Sequence, residues 1–176
     1  MTLLLNFILH PFQTIEEHRF EAPAGLSLLA MFLVWVTVLA QAWWGHFFFF
    51  LFLAILFTFF CLMGHLAYVG LMDWVMQIFA QKSRFMVVAS WLGLCYLPIS
   101  LGISVSLLTS AIPVVAWLSV PLNLGLLIWS GILSVRVLRT QYQVGVPMSL
   151  LLLSLPLLVA SVTVLLMIVS LFFTLL

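Results

Sequence analysis

The chain has 176 residues, 66% of them hydrophobic and only 5% charged, with a formal net charge of +1 and a mean hydropathy of +1.39. An ordinary soluble domain is about one-quarter charged. So few ionic side chains cannot cover a water-facing surface and leave no electrostatic footprint for nucleic acid, whereas lipid accepts apolar side chains all round a helix whose backbone groups bond internally. The composition therefore predicts an all-α membrane protein.

The N-terminal run MTLLLNFILHPF has no basic n-region and no small-residue cleavage site, so it is not read as a signal peptide. Residues 11–22, PFQTIEEHRFEA, are the one stretch of mixed polarity. Phe12, Ile15, Arg19 and Phe20 recur at helical spacing opposite Glu16, Glu17 and Glu21, which predicts an amphipathic helix at the cytoplasmic membrane surface. It serves either as a lead-in that anchors the first span or as a docking element for a cytosolic partner. Residues 1–24 are thus expected to form an interfacial segment and residues 25–176 a transmembrane domain.

A helix needs about 20 residues to cross a hydrocarbon core about 30 Å thick. Five stretches are long enough: Gly25 to Trp44, Phe47 to Phe79, Phe85 to Thr109, Pro113 to Val135 and Pro147 to Leu176. Pro11, Pro23, Pro113 and Pro147 sit at helix starts, where a missing N–H costs nothing. Trp43, Trp44 and Phe47 to Phe50 fit an aromatic belt at the outer interface.

The five Lys and Arg residues then fix an orientation. Arg19 precedes the first span, Lys82 and Arg84 join the second to the third, and Arg136 and Arg139 join the fourth to the fifth. With five crossings all of them fall on one side, and an excess of Lys and Arg marks the cytoplasmic side. The N-terminus is expected in the cytoplasm and the C-terminus outside.

Ionisable residues at membrane depth are functional candidates. Counted from Phe47 at 1.5 Å per residue, His65 lies about 27 Å in and Asp73 about 39 Å in. Asp73 is therefore expected at the interface near Trp74, in a salt bridge across the turn to Lys82 or Arg84. His65 is either a histidine hydrogen-bonded to a neighbouring helix or a proton relay. About 12 Å of rise and about 80° of rotation separate the two, so they form no acid–base dyad. His46 and His65 stand nearly a membrane apart, which gives no matched pair for haem. HExxH, GxSxG and P-loop patterns do not occur. No enzyme, metal or cofactor is expected. Cys61 and Cys95 lie in apolar runs and read as small hydrophobes.

Pro98, Pro121 and Pro156 all convert to roughly 16 to 21 Å from the inner surface, so three helices are expected to bend at one level. Such bends free the carbonyls of Leu94, Trp117 and Leu152. Tyr96 and Asn123, at similar depth, join His65 as a candidate intramembrane polar site. The cluster is either a substrate or ion site built from broken helices or a set of packing kinks. Gly102, Ser106 and Ser110, with Ser130 and Ser134 on the next span, make small-residue stripes for close helix approach.

HPFQTIEEHR (His10 to Arg19), the run from Gly64 to Pro98 with its basic turn and Tyr-x-Pro, and LIWSGILSVRVL (Leu127 to Leu138) together resemble the Yip domain family, the Rab/Ypt-interacting membrane proteins and their bacterial counterparts. Tyr96 lies closer to Pro98 than in the family pattern, and Gln141-Tyr142-Gln143 replaces a glycine-and-basic turn. No long polar tail precedes His10, which points to the bacterial branch and an inner-membrane location. The resemblance implies a five-span bundle without chemistry of its own that acts by association. The expected function is a scaffold or accessory subunit whose partners are the bilayer and another membrane protein or a second copy. The alternative is a small carrier or channel.

Overall fold

The computed structural model describes residues 2–40, 47–79, 81–102, 105, 117–155, 158 and 161, and the side chains of these apart from residues 2, 37–40 and 47–50. All regular secondary structure among them is helical. In chain order the helices are α1 Thr2–Leu9, α2 Pro11–Glu17, α3 Ala24–Ala40, α4 Phe47–Ile78, α5 Phe85–Gly102, α6 Ser119–Tyr142 and α7 Val146–Leu155.

Among the described residues three helices are long and apolar enough to cross a membrane: the Leu51–Ile78 part of α4, α5 and α6. α3 and α7 are apolar but shorter over the described residues, and the remainder of the expected first, third and fifth spans lies outside those residues. α5 is the central helix. It packs against α3, α4 and α6, and 61% of its most apolar window is buried, against 17% for each of the other two candidate spans. Trp91, Leu94 and Cys95 at its middle are closed off from the surface and meet Val69, Met72 and Met76 of α4 and Leu133, Val137 and Leu138 of α6 in one core. On α4 those buried positions recur at three- and four-residue steps, a single stripe facing inward. The opposite face, with Phe52, Ile55, Phe59 and Phe60, is exposed, as lipid permits.

α3 approaches α5 very closely at Gly93. A methyl group built there would collide with the hydroxyl of Ser27 and come within 3.1 Å of Met31 Cε. Glycine at this point lets the two backbones close together, the role small residues play where helices associate without a hydrophobic drive.

Several sequence expectations are corrected. The helix expected over residues 11–22 ends at Glu17 and gives way to a turn at residues 18–20, while α1, ahead of it, is also helical. This N-terminal pair packs into the bundle. Phe7 is buried with its ring 6.0 Å from Trp91, Thr14 and Ile15 are buried, and α2 lies against α6.

The fourth span expected from the sequence, α6, is also displaced. It was expected from Pro113 to Val135 but runs from Ser119 to Tyr142. Pro121 consequently falls in its first turn, where N–H groups have no intrahelical acceptor anyway, so it bends nothing. Pro98 does break its helix: residues 95–96 form a turn between two helical stretches of α5. Pro113 and Pro156 lie outside the described residues, so of the three expected bends the structure shows the one at Pro98 and not the one at Pro121. α6 ends with Gln143 in the left-handed conformation, φ 56° and ψ 35°, a position that favours glycine. Gln143 Nε2 donates back to Thr140 O at 2.9 Å and so satisfies one of the carbonyls left over at the helix end.

Candidate functional site

The polar chemistry of the described residues gathers in two layers. The first lies at the end of the bundle that carries the basic residues. Asp73 faces inward near the end of α4 and is only 3% exposed. Its carboxylate accepts four hydrogen bonds, from Gln77 Nε2 at 2.8 Å, Ser83 Oγ at 2.6 Å, the Arg84 backbone N–H at 3.0 Å and Tyr142 Oη at 2.6 Å. A buried carboxylate is stable only when its oxygens are so supplied. The result joins α4, the 81–84 turn, the start of α5 and the end of α6. Asp73 was expected at the interface in a salt bridge to Lys82 or Arg84. It is instead buried and held by hydroxyls, an amide and a main-chain N–H, because the tight turn aims the backbone of Arg84 at it and swings the guanidinium away.

That guanidinium lies 3.4 Å from Gln141 Oε1 and 5.5 Å from the ring of Phe20. Gln141 Nε2 in turn donates to Arg19 O at 2.8 Å, and Trp91 Nε1 donates to Glu21 O at 3.0 Å. Core side chains thus hold the non-helical stretch after α2 by its carbonyls. Glu16 of α2 pairs with Arg136 of α6. Arg19, Arg84, Arg136 and Arg139, together with Lys82 in the same turn as Arg84, therefore sit at one end of the molecule. Between α2 and the end of α6, Glu16, Arg19, Arg136, Arg139 and Thr140 border an open cavity of about 490 Å³. Arg136 and Arg139 also wall an adjoining cavity of about 300 Å³, which is otherwise made by Phe12, Ile132 and Val135.

The second layer lies deeper. His65 Nε2–H donates to Ala89 O at 2.8 Å, and Nδ1 faces Tyr96 Oη at 3.4 Å, with the two rings edge to face at 5.6 Å. Both ring nitrogens are thereby directed at α5. Ser130 Oγ donates to Cys95 O at 2.6 Å, a carbonyl at the Pro98 break, where the regular helical ladder is interrupted. Tyr68 Oη reaches Leu153 O at 3.2 Å and links α4 to α7. A cavity of about 180 Å³ between α3, α4 and α5 is lined by His65, Ser27 and Ser90 among apolar neighbours.

Of the three residues expected to form an intramembrane site, the structure brings together His65 and Tyr96. Asn123 is occupied elsewhere: its Nδ2 donates to Ser119 O at 2.8 Å, and its side chain lies against Gly102. Gly102 thus marks a close approach of α5 and α6. Ser106 and Ser110 lie outside the described residues. Ser130 faces α5 through Cys95, and Ser134 Oγ bonds back to Ser130 O at 2.9 Å.

Sequence reasoning missed Tyr142 and Gln141 as ties and Glu16 as a counter-ion. For Asp73 a signal existed, an acid on an apolar helix shortly before a Ser-Arg turn, but nothing local points to Tyr142. No protein-family model matches the chain, and no curated protein or solved structure is significantly similar to it.

Proposed function

We propose that the chain is a non-enzymatic integral membrane protein of Yip-like organisation that acts as a scaffold or accessory subunit of a membrane complex. It crosses the bacterial inner membrane five times, with the N-terminus and every Lys and Arg on the cytoplasmic side, and binds another membrane protein or a second copy through its helix faces. The gathering of the basic residues at one end of the bundle supports this orientation. The observation that carries the functional reading is His65. A histidine used for transport must be open to a passing ion, whereas here one nitrogen bonds Ala89 O and the other faces Tyr96, so the side chain fastens α4 to α5. The outward faces of α4 and α6 are broad and apolar, with Phe59, Phe60, Leu127 and Ile128 all exposed, and they offer area to lipid or to a partner helix.

A carrier or channel is the second reading, favoured by the cavity that His65 shares with Ser27 and Ser90. Purification in mild detergent followed by reconstitution separates the two. A stoichiometric partner or a stable homo-oligomer, together with liposomes whose permeability to protons and small ions is unchanged, supports the scaffold. A solitary chain that conducts, and stops conducting on His65→Leu, overturns it.

A further inference from the structure

The cavity between α2 and the end of α6 has the composition of an anion site. Its lining holds three arginines, Arg19, Arg136 and Arg139, against a single acidic residue, Glu16, which leaves two positive charges. Arg136 engages Glu16 through a terminal nitrogen, and its Nε is buried with no hydrogen-bond partner among the described residues. Guanidinium groups suit phosphate because their planar donors match its oxygens in pairs.

A phosphate group here has two sources, a soluble ester or a lipid headgroup, and the neighbouring cavity distinguishes them. Arg136 and Arg139 divide polar from apolar space, since beyond them lie Phe12, Ile132 and Val135. Ile132 is about one turn further from the basic end than Arg136. Exposed Ile128 and Leu124 continue the same line at four-residue steps over a further 12 Å, approximately. A soluble anion has no use for this apolar rail, whereas an acyl chain descending from a headgroup follows it.

Resting on the membrane reading above, we propose that this cavity binds a phosphate-bearing group and that the group is the head of an anionic phospholipid. The phosphate lies among Arg19, Arg136 and Arg139, and the first acyl methylenes lie against Phe12, Ile132 and Val135. Basic pockets at the cytoplasmic ends of membrane helices recognise anionic headgroups by this combination of charge and adjoining apolar surface.

The test uses the full chain in an uncharged detergent. Binding of phosphatidylglycerol and of phosphatidylcholine with the same acyl chains is measured by native mass spectrometry, with glycerol 3-phosphate as the soluble probe. Phosphatidylglycerol is expected to bind at least several-fold more tightly than phosphatidylcholine. The Arg139 side chain makes no hydrogen bond or ion pair among the described residues, so Arg139→Gln removes a charge without breaking a tie. It should weaken phosphatidylglycerol binding about fivefold, from about 1 kcal/mol per basic residue near the surface, at an unchanged melting temperature. Glu16→Gln should strengthen binding, and Ile132→Asn should weaken lipid binding while leaving glycerol 3-phosphate unaffected. Equal binding of the two lipids, or no effect of Arg139→Gln, overturns the site. Displacement of lipid by glycerol 3-phosphate at comparable concentration overturns the lipid source. Partner retention and liposome permeability are separate measurements, so failure here leaves the scaffold reading to its own test.

Discussion

Tyr142, the last residue of α6, donates its hydroxyl to Asp73 Oδ1 of α4 at 2.6 Å, across 69 positions of sequence. Both residues are buried, at 1% and 3% exposure, so water cannot replace the bond. Tyr142→Phe keeps the ring and removes one donor from the carboxylate. Bonds to charged groups contribute about 1.5–3 kcal/mol, and thermal unfolding in detergent should show a loss in that range. Asp73→Ala should cost more, because Tyr142, Ser83, Gln77 and the Arg84 N–H all lose their acceptor.

Gly93→Ala tests the α3–α5 approach. The added methyl meets Ser27 and Met31, and overpacking of this kind costs about 1–3 kcal/mol. Gly64→Ala and Gly125→Ala meet nothing within 4 Å and serve as controls that should melt like the parent or slightly higher, since alanine favours the helix. Adding Ser27→Ala to Gly93→Ala should recover part of the loss, because the worst collision is with the hydroxyl.

His65→Leu removes the donor to Ala89 O. The expected loss is about 1–2 kcal/mol of stability, with proton and ion permeability of proteoliposomes unchanged. A variant that keeps its melting temperature but alters flux reverses the assignment of His65 from fastener to relay.

The proposed orientation makes a labelling prediction. Single cysteines placed at Lys82 and at Gln143, each in a background with Cys61 and Cys95 replaced by alanine, should react with a membrane-impermeant maleimide only after the cytoplasmic side is exposed. A periplasmic reporter fused after Leu176 should be active. Reaction of the two cysteines from opposite sides refutes the arrangement.

How far the sequence could be read depended on the range of the interaction concerned. α4 was expected from Phe47 to Phe79 and spans Phe47–Ile78, and α5 starts at Phe85 as expected, because apolar runs ending at a Lys-Ser-Arg turn are local signals. α6 was misplaced because Pro113 and Pro121 both suit a helix start, and hydropathy alone does not choose between them. Arg136 and Arg139 were read as ending the span, yet both lie inside the helix, where arginine is a good helix former and its long side chain reaches polar surroundings. His65 was recognised as a candidate from its depth, and Tyr96 was grouped with it. The bond to Ala89 O was not foreseen, since it depends on how α4 rotates against α5. The fastening of Arg19 and Glu21 through their carbonyls leaves no trace in side-chain identity at all.

The bond from Gln141 to Arg19 O and the ion pair between Arg136 and Glu16 both join the beginning of the chain to its last third, more than a hundred residues later. A ribosome delivering this protein releases α1 and α2 long before α6 exists, so the leading helices must wait, unanchored on that side, until some 140 residues have been made. Trp91, which grips Glu21 O, supplies an earlier handhold. Truncation before Arg136 should therefore leave the opening segment held through α5 alone and more open to protease.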